Sequence, residues 1–115
     1  MRRELGQKGE NIAVRYLQKE GYRIIDRNFR TRYGELDIIC LKNDVLVFAE
    51  VKTRRSEVFG AAEEALTPKK IEHIRKVALH YLSSHQTRHK EIRFDVIAIL
   101  MVNDEPRINH IQAAF

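Results

Sequence analysis

Two stretches rich in Leu, Ile, Val and Phe, residues 35–42 and 45–53, stand on either side of the dipeptide Asn43-Asp44. That pattern predicts a β-hairpin, although Asn-Asp is a weaker turn signal than Asn-Gly. With Asn43 and Asp44 at the tip, Asp37 lies opposite Glu50 and Glu35 lies opposite Lys52. Strand alternation then places Glu35, Asp37, Glu50 and Lys52 on one face, above Ile39 with Phe48 and Leu41 with Leu46 nearer the tip. The other face pairs Leu36 with Val51, Ile38 with Ala49 and Cys40 with Val47, and is wholly apolar. A slip of one residue would break the Asp37–Glu50 pairing, so the burial pattern and the acid pair specify the same register.

Directly opposed carboxylates have Cβ atoms roughly 5 Å apart and repel each other. A shared proton, a basic side chain or a divalent cation must offset that repulsion. Hard cations such as Mg²⁺ favour carboxylate oxygens and water, often with one or two protein carboxylates. Lys52, on the same face, is placed to orient or deprotonate an attacking water, or to stabilise charge on a phosphate. The competing reading is a cross-strand ion network, with Glu35 and Lys52 paired beside Asp37. A third acid, Glu10, shares a helix side with Ala13 and Leu17, where a charge is costly unless paired or metal-bound. Gly6 and Gly9 lie near it and would admit another backbone; alternatively Glu10 reaches solvent from the helix edge.

Around the hairpin, residues 5–20 carry an apolar stripe of Ile12, Ala13, Tyr16 and Leu17 and predict a helix stopped by Gly21. Residues 22–30 predict a strand. Thr67-Pro68 is a cap followed by an N1 proline, opening a helix to about Ser84. Residues 92–102 predict a strand, and 107–112 a last one. The order is helix, three strands, helix, one or two strands, a mixed α/β arrangement. At 115 residues with no repeat or linker, residues 1–115 are expected to form one domain.

The net charge of +5 is uneven: residues 1–32 hold nine Arg or Lys against four acids, and the remainder is balanced. That suggests a polyanion partner, with a solvated surface as the alternative. Val96–Val102 is the longest apolar run, far below the ~20 residues of a membrane span, and residues 1–5 contain no signal-like apolar core. A cytoplasmic chain without a membrane partner is expected. A lone cysteine, Cys40, excludes an internal disulfide and reads as a buried reduced thiol. Neither a Ser-His-Asp arrangement nor a P-loop is visible.

Asp37 followed by Glu50-Val51-Lys52 on the next strand resembles the PD-(D/E)xK nuclease signature, and Glu10 resembles the extra acid of the Holliday-junction resolvase branch. A longer string resembles the YraN family of largely uncharacterised bacterial proteins, which is similar to those resolvases. It comprises Gly9-Glu10, Gly21-Tyr22, Arg27-Asn28-Phe29-Arg30, Gly34-Glu35-Leu36-Asp37 and Phe48 to Arg54. It continues through Phe59-Gly60, Ala65 to Lys70, Arg93 to Val96, and Ala113-Ala114-Phe115. Ala62 stands where a proline is expected, and Ala49 where a valine is usual.

The resemblance implies a restriction-endonuclease-like core, a mixed sheet flanked by helices, and Mg²⁺- or Mn²⁺-dependent cleavage of phosphodiesters in DNA, branched or structured DNA included. Asp37 and Glu50 would ligate the metal with the carbonyl of Val51, and Lys52 would position the water. Glu10 would bind the metal directly or through water. Lys70 resembles the family's helix lysine, and Glu64 another family position.

Arg27, Arg30, Arg32, Arg54 and Arg55 are candidate phosphate contacts, since arginine grips phosphate with a planar fork; each also reads as a solvated charge. Lys69 and Lys70, in the first turn of the Thr67 helix, oppose the helix dipole, which suits phosphate binding. Glu35 reads as the partner of Lys52. His85 and His89 have zinc-like spacing but read as loop residues, and His73 and His80 as surface residues. Arg93 and Asp95 read as an ion pair, with Asp95 also a candidate to approach the acids. Three classes follow: a metal-dependent endonuclease, a non-catalytic nucleic-acid-binding module, or a protein-only interaction module. Three acids with a lysine favour the enzyme. Resolvase-like proteins of this size often act as homodimers, but no decisive apolar interface stripe stands out.

Overall fold

A computed structural model of the chain describes residues 2–55 and 66–115, with residues 2–4 as backbone alone. Phe59, Gly60, Ala62, Glu64 and Ala65 lie outside the described residues. The elements are α1 (Arg2–Lys19), β1 (Arg23–Thr31), β2 (Gly34–Lys42), β3 (Val45–Arg54), α2 (Pro68–Ser84), β4 (Glu91–Val102) and β5 (Glu105–Ile111). The strands form one sheet in the order β1-β2-β3-β4-β5. Neighbours are antiparallel except β3 and β4, which run parallel. Among the described residues the result is an α/β fold, a five-stranded mixed sheet with two helices. A parallel pair cannot be closed by a tight turn, and the return from β3 to β4 carries α2.

Local chemistry sets the boundaries. Gly21, at φ +93°, ends α1, and the Tyr22 amide donates back to the Leu17 carbonyl at 2.9 Å. Asn43 and Asp44 adopt φ values of 50° and 65°, the two left-handed positions of a tight hairpin turn. Asn103-Asp104 repeats the device between β4 and β5, at 52° and 61°. At α2, Thr67 Oγ1 accepts the Lys70 amide at 3.1 Å, and Pro68 opens the helix.

Each helix covers its own apolar core. Ala13 and Leu17 of α1 bury Ile38, Cys40, Val47, Ala49 and Ile97. Ile74, Val77 and Tyr81 of α2 bury Leu36, Ile39, Leu46 and Phe48. No described helix is long and apolar enough to cross a membrane.

The predicted hairpin register is present from Lys42–Val45 to Ile38–Ala49, and there the ladder ends. β3 continues alone against β4 as far as Arg54–Leu100. The expected partnerships Asp37–Glu50, Leu36–Val51 and Glu35–Lys52 therefore do not form as ladder pairs. Leu36 also leaves the expected face, joining the α2 core while Ile38 joins the α1 core. The chain changes face at Asp37. Opposite it on β1, Asn28 has φ 53°, and neither residue pairs between Arg27–Ile38 and Phe29–Leu36.

Candidate active site

Where β2 parts from β3, at the end of the hairpin remote from its tip, a cleft of about 390 Å³ opens. Its walls include Asp37 of β2, Glu50, Val51 and Lys52 of β3, Glu10 of α1 and Lys70 of α2. The structure thus brings together Asp37, Glu50, Glu10, Lys52 and Lys70, all singled out in the sequence.

The Val51 amide, beyond the end of the β2–β3 ladder, donates to Asp37 Oδ2 at 2.8 Å. Asp37 reaches across the gap that the diverging strands leave. Glu50 is 5% exposed. Burial, and then the Glu50 charge beside it, push the Asp37 carboxyl up to about 8, against the opposing pull of the Val51 amide. The uncharged form of Asp37 is thereby favoured.

Two ammonium groups lean on Glu50 from different elements, Lys52 Nζ at 3.7 Å and Lys70 Nζ at 3.5 Å. Burial and the neighbouring Lys70 amine lower the Lys52 pKa from its ordinary value. Glu10 is raised by burial and then by Glu35, while Arg27 and Asn28 favour its ionised form. Its position follows from Gly9, where a Cβ would overlap Thr53 Oγ1, so α1 rides directly on β3. Gly6, by contrast, faces open space and is not needed for that approach.

Glu35 corrects the sequence reading. It pairs with Arg30 at 2.9 Å and not with Lys52. Arg30 is its register partner on β1, whereas the β2–β3 ladder has already ended. The arginines do not form one cluster. Arg27 donates to Asn11 Oδ1 at 2.8 Å, and Arg32 donates to the Tyr33 hydroxyl at 2.8 Å. Arg54 lies half-buried with Nε unpartnered, and Arg55 is exposed beyond β3. Arg30 lines a groove beside the cleft with Gln7, Glu10, Asn28 and Glu35. Lys69 is exposed, one residue before the lysine that enters the cleft.

Asp95 does not line the cleft. It is fully buried and accepts from Arg93 at 2.8 and 2.9 Å and from the Ala113 amide at 3.0 Å. His110 Nε2 lies 2.7 Å from its other side, and the Tyr16 hydroxyl meets His110 Nδ1 at 2.9 Å. Arg93 also donates to the Tyr22 hydroxyl at 2.7 Å. The expected Arg93–Asp95 pair is present as the centre of a larger network. His110 was missed in the sequence; its single local signal is sharing a strand face with Ile108.

The remaining histidines serve the α2 end. His85 stacks on Tyr81 at 4.3 Å, and His89 Nδ1 lies 2.7 Å from the Thr87 carbonyl. His73 and His80 are exposed. Burial pushes the Cys40 thiol up to about 12, in keeping with an inert core residue.

Among the described residues no group of three or more His, Cys, Asp or Glu converges to hold a metal. The close pair is Asp37–Glu50, with Glu10 acting on it through its charge. Two carboxylates completed by water suit a hard divalent cation. With both carboxylates lining one cleft, the donor set fits Mg²⁺ or Mn²⁺.

Comparison with known proteins places this chain in a family. The model of the uncharacterised protein family UPF0102 matches residues 9–99. A UPF0102 protein of Syntrophomonas wolfei is 55% identical over 115 residues, covering 100% of both chains. One from Alkaliphilus oremlandii is 46% identical over 117 residues, again covering 100% of both. One from Rhodococcus opacus is 46% identical over 112 residues, covering 96% of this chain and 95% of its own. The chain belongs to the uncharacterised protein family UPF0102, the YraN family.

Proposed function

We propose that this protein is a Mg²⁺- or Mn²⁺-dependent endonuclease that hydrolyses phosphodiester bonds in DNA, on a restriction-endonuclease-like core. The observation that carries the reading is the Asp37–Glu50 pair set in one cleft with Glu10, Lys52 and Lys70. Support for the core comes from the order α1, β1–β3, α2, β4, with β4 parallel to the acid-bearing β3.

Asp37 and Glu50 would hold the cation, with the Val51 carbonyl and Glu10 as further oxygen donors. A bound divalent cation supplies Lewis acidity toward a phosphate oxygen and lowers the pKa of water. Lys52, half-buried and within reach of Glu50, orients the attacking water and faces the developing negative charge. Lys70, freed from Glu50 once a cation is bound there, contacts a substrate phosphate as a point charge. Arg30, Arg27, Arg32, Arg54 and Arg55 add weaker contacts along the strand.

The test is cleavage of duplex, single-stranded, flap and four-way DNA with Mg²⁺ or Mn²⁺. Wild type cuts at least one substrate, and Asp37→Asn and Lys52→Ala each lower the rate by about 100-fold or more without unfolding the protein. Wild type inert on all four overturns the catalytic claim.

A second reading rests on the two lysines at Glu50, which already compensate its charge without a metal. It makes the protein a non-catalytic nucleic-acid-binding module. That module binds DNA with an affinity that falls steeply with salt, yet takes up no divalent cation in calorimetry.

A further inference from the structure

The β1–β2 ladder is interrupted at one position outside its bulge near Ile24. Arg27 pairs with Ile38 and Phe29 with Leu36, but Asn28 and Asp37 between them do not pair. Asn28 has φ 53°, a left-handed backbone that asparagine tolerates and most side chains resist. The interruption coincides with two other events. At Asp37 the following strand swaps faces, and the Asp37 carboxylate leaves its own strand to accept the Val51 amide. Asn28 also lines the groove beside the cleft together with Glu10.

We propose that Asn28 is a positioning residue of the cleft, whose left-handed backbone releases Asp37 to cross to β3 and whose amide aims Glu10 at the acid pair. This assignment rests on the metal-site reading above. Partners that orient metal-ligating carboxylates contribute to metal affinity without touching the metal. The two halves of the role separate by substitution. Glycine keeps the left-handed backbone and removes the amide. Valine removes both, since a β-branched residue resists that conformation.

The experiment measures Mn²⁺ affinity by calorimetry, and solvent exchange of the Val51 amide by NMR in metal-free protein. Asn28→Gly keeps the wild-type melting temperature and Val51 protection but binds Mn²⁺ about 10-fold more weakly. Asn28→Val loses Val51 protection as well, because Asp37 no longer reaches it. Wild-type Mn²⁺ affinity in Asn28→Gly overturns the assignment, as does full Val51 protection in Asn28→Val. A wild type that takes up no Mn²⁺, with Asp37→Asn behaving identically, overturns the metal reading itself and this assignment with it.

Discussion

Asp95 and Asp37 are buried acids of the same sheet, and their surroundings treat the charge in opposite ways. Around Asp95, burial alone would raise the carboxyl pKa. Hydrogen bonds from His110, Arg93 and the Ala113 amide, with the Arg93 charge, outweigh it and hold the group below the usual carboxylate range. Around Asp37, one amide is set against burial and a second acid, and the group rises to about 8. The cations of the first centre bond Asp95 directly, whereas those of the second lean on Glu50 and leave Asp37 with the Val51 amide. A buried acid with its charge fully met is architecture, and the acid held against its charge is the one the proposed function uses.

The comparison breaks most visibly at Asp95. Replacing it with asparagine leaves the partly buried Arg93 without its counter-charge, and we expect a loss of about 3–5 kcal/mol in urea unfolding. Because the folded pKa of Asp95 is depressed, its stabilisation is present at neutral pH and disappears as the medium is acidified. A cost under about 1 kcal/mol would show that the network holds less than its hydrogen bonds suggest.

Asp37→Asn is expected to move stability the other way. The folded pKa of Asp37 stands at about 8 against an ordinary 3.8, so its contribution declines as pH climbs between those values. The asparagine variant lacks that decline, keeps an acceptor for the Val51 amide, and gains about 1–3 kcal/mol over wild type in metal-free buffer at about pH 9. Equal or lower stability for the variant at that pH would place the repulsion elsewhere.

The smallest effect sharpens the comparison without mutation. Uptake of Mg²⁺ at about pH 7 releases close to one proton, read as a dependence of the calorimetric heat on buffer ionisation enthalpy. The release fades toward about pH 9 and vanishes in Asp37→Asn. A buffer-independent heat would mean that the cation does not displace the proton of the acid pair.

The tip of the hairpin, both helices and the Thr67-Pro68 start of α2 were legible because each is written in short-range chemistry. Asp37 and Glu50 do share the cleft, but not as the cross-strand pair that strand period and turn position predicted, because the ladder ends at Ile38–Ala49. The geometry next to the acids was not legible. Strict alternation puts Leu36 with Ile38, and the structure separates them because Asn28, on another strand, breaks the pairing. Glu35 chose Arg30 over Lys52 because the competing neighbour lies on β1. The Asp95 network escaped for a related reason, since Tyr16 and His110 meet across most of the chain's length. Lys70 entered the reading through its place in the first turn of α2 and through resemblance, and its contact with Glu50 depends on a crossover that no local pattern aims.

The parallel alignment of β3 and β4 has a consequence for assembly. The carboxylates of Asp37 and Glu50 sit on a hairpin built from neighbouring residues, so bringing them together needs only the closure of a short loop. The strand that supports Glu50 from its other side, and the helix that delivers Lys70, come from later in the chain. Pairing over that separation is slow relative to hairpin closure. A nascent chain therefore carries the acids before the lysine, and the cleft is finished only when the C-terminal half has docked.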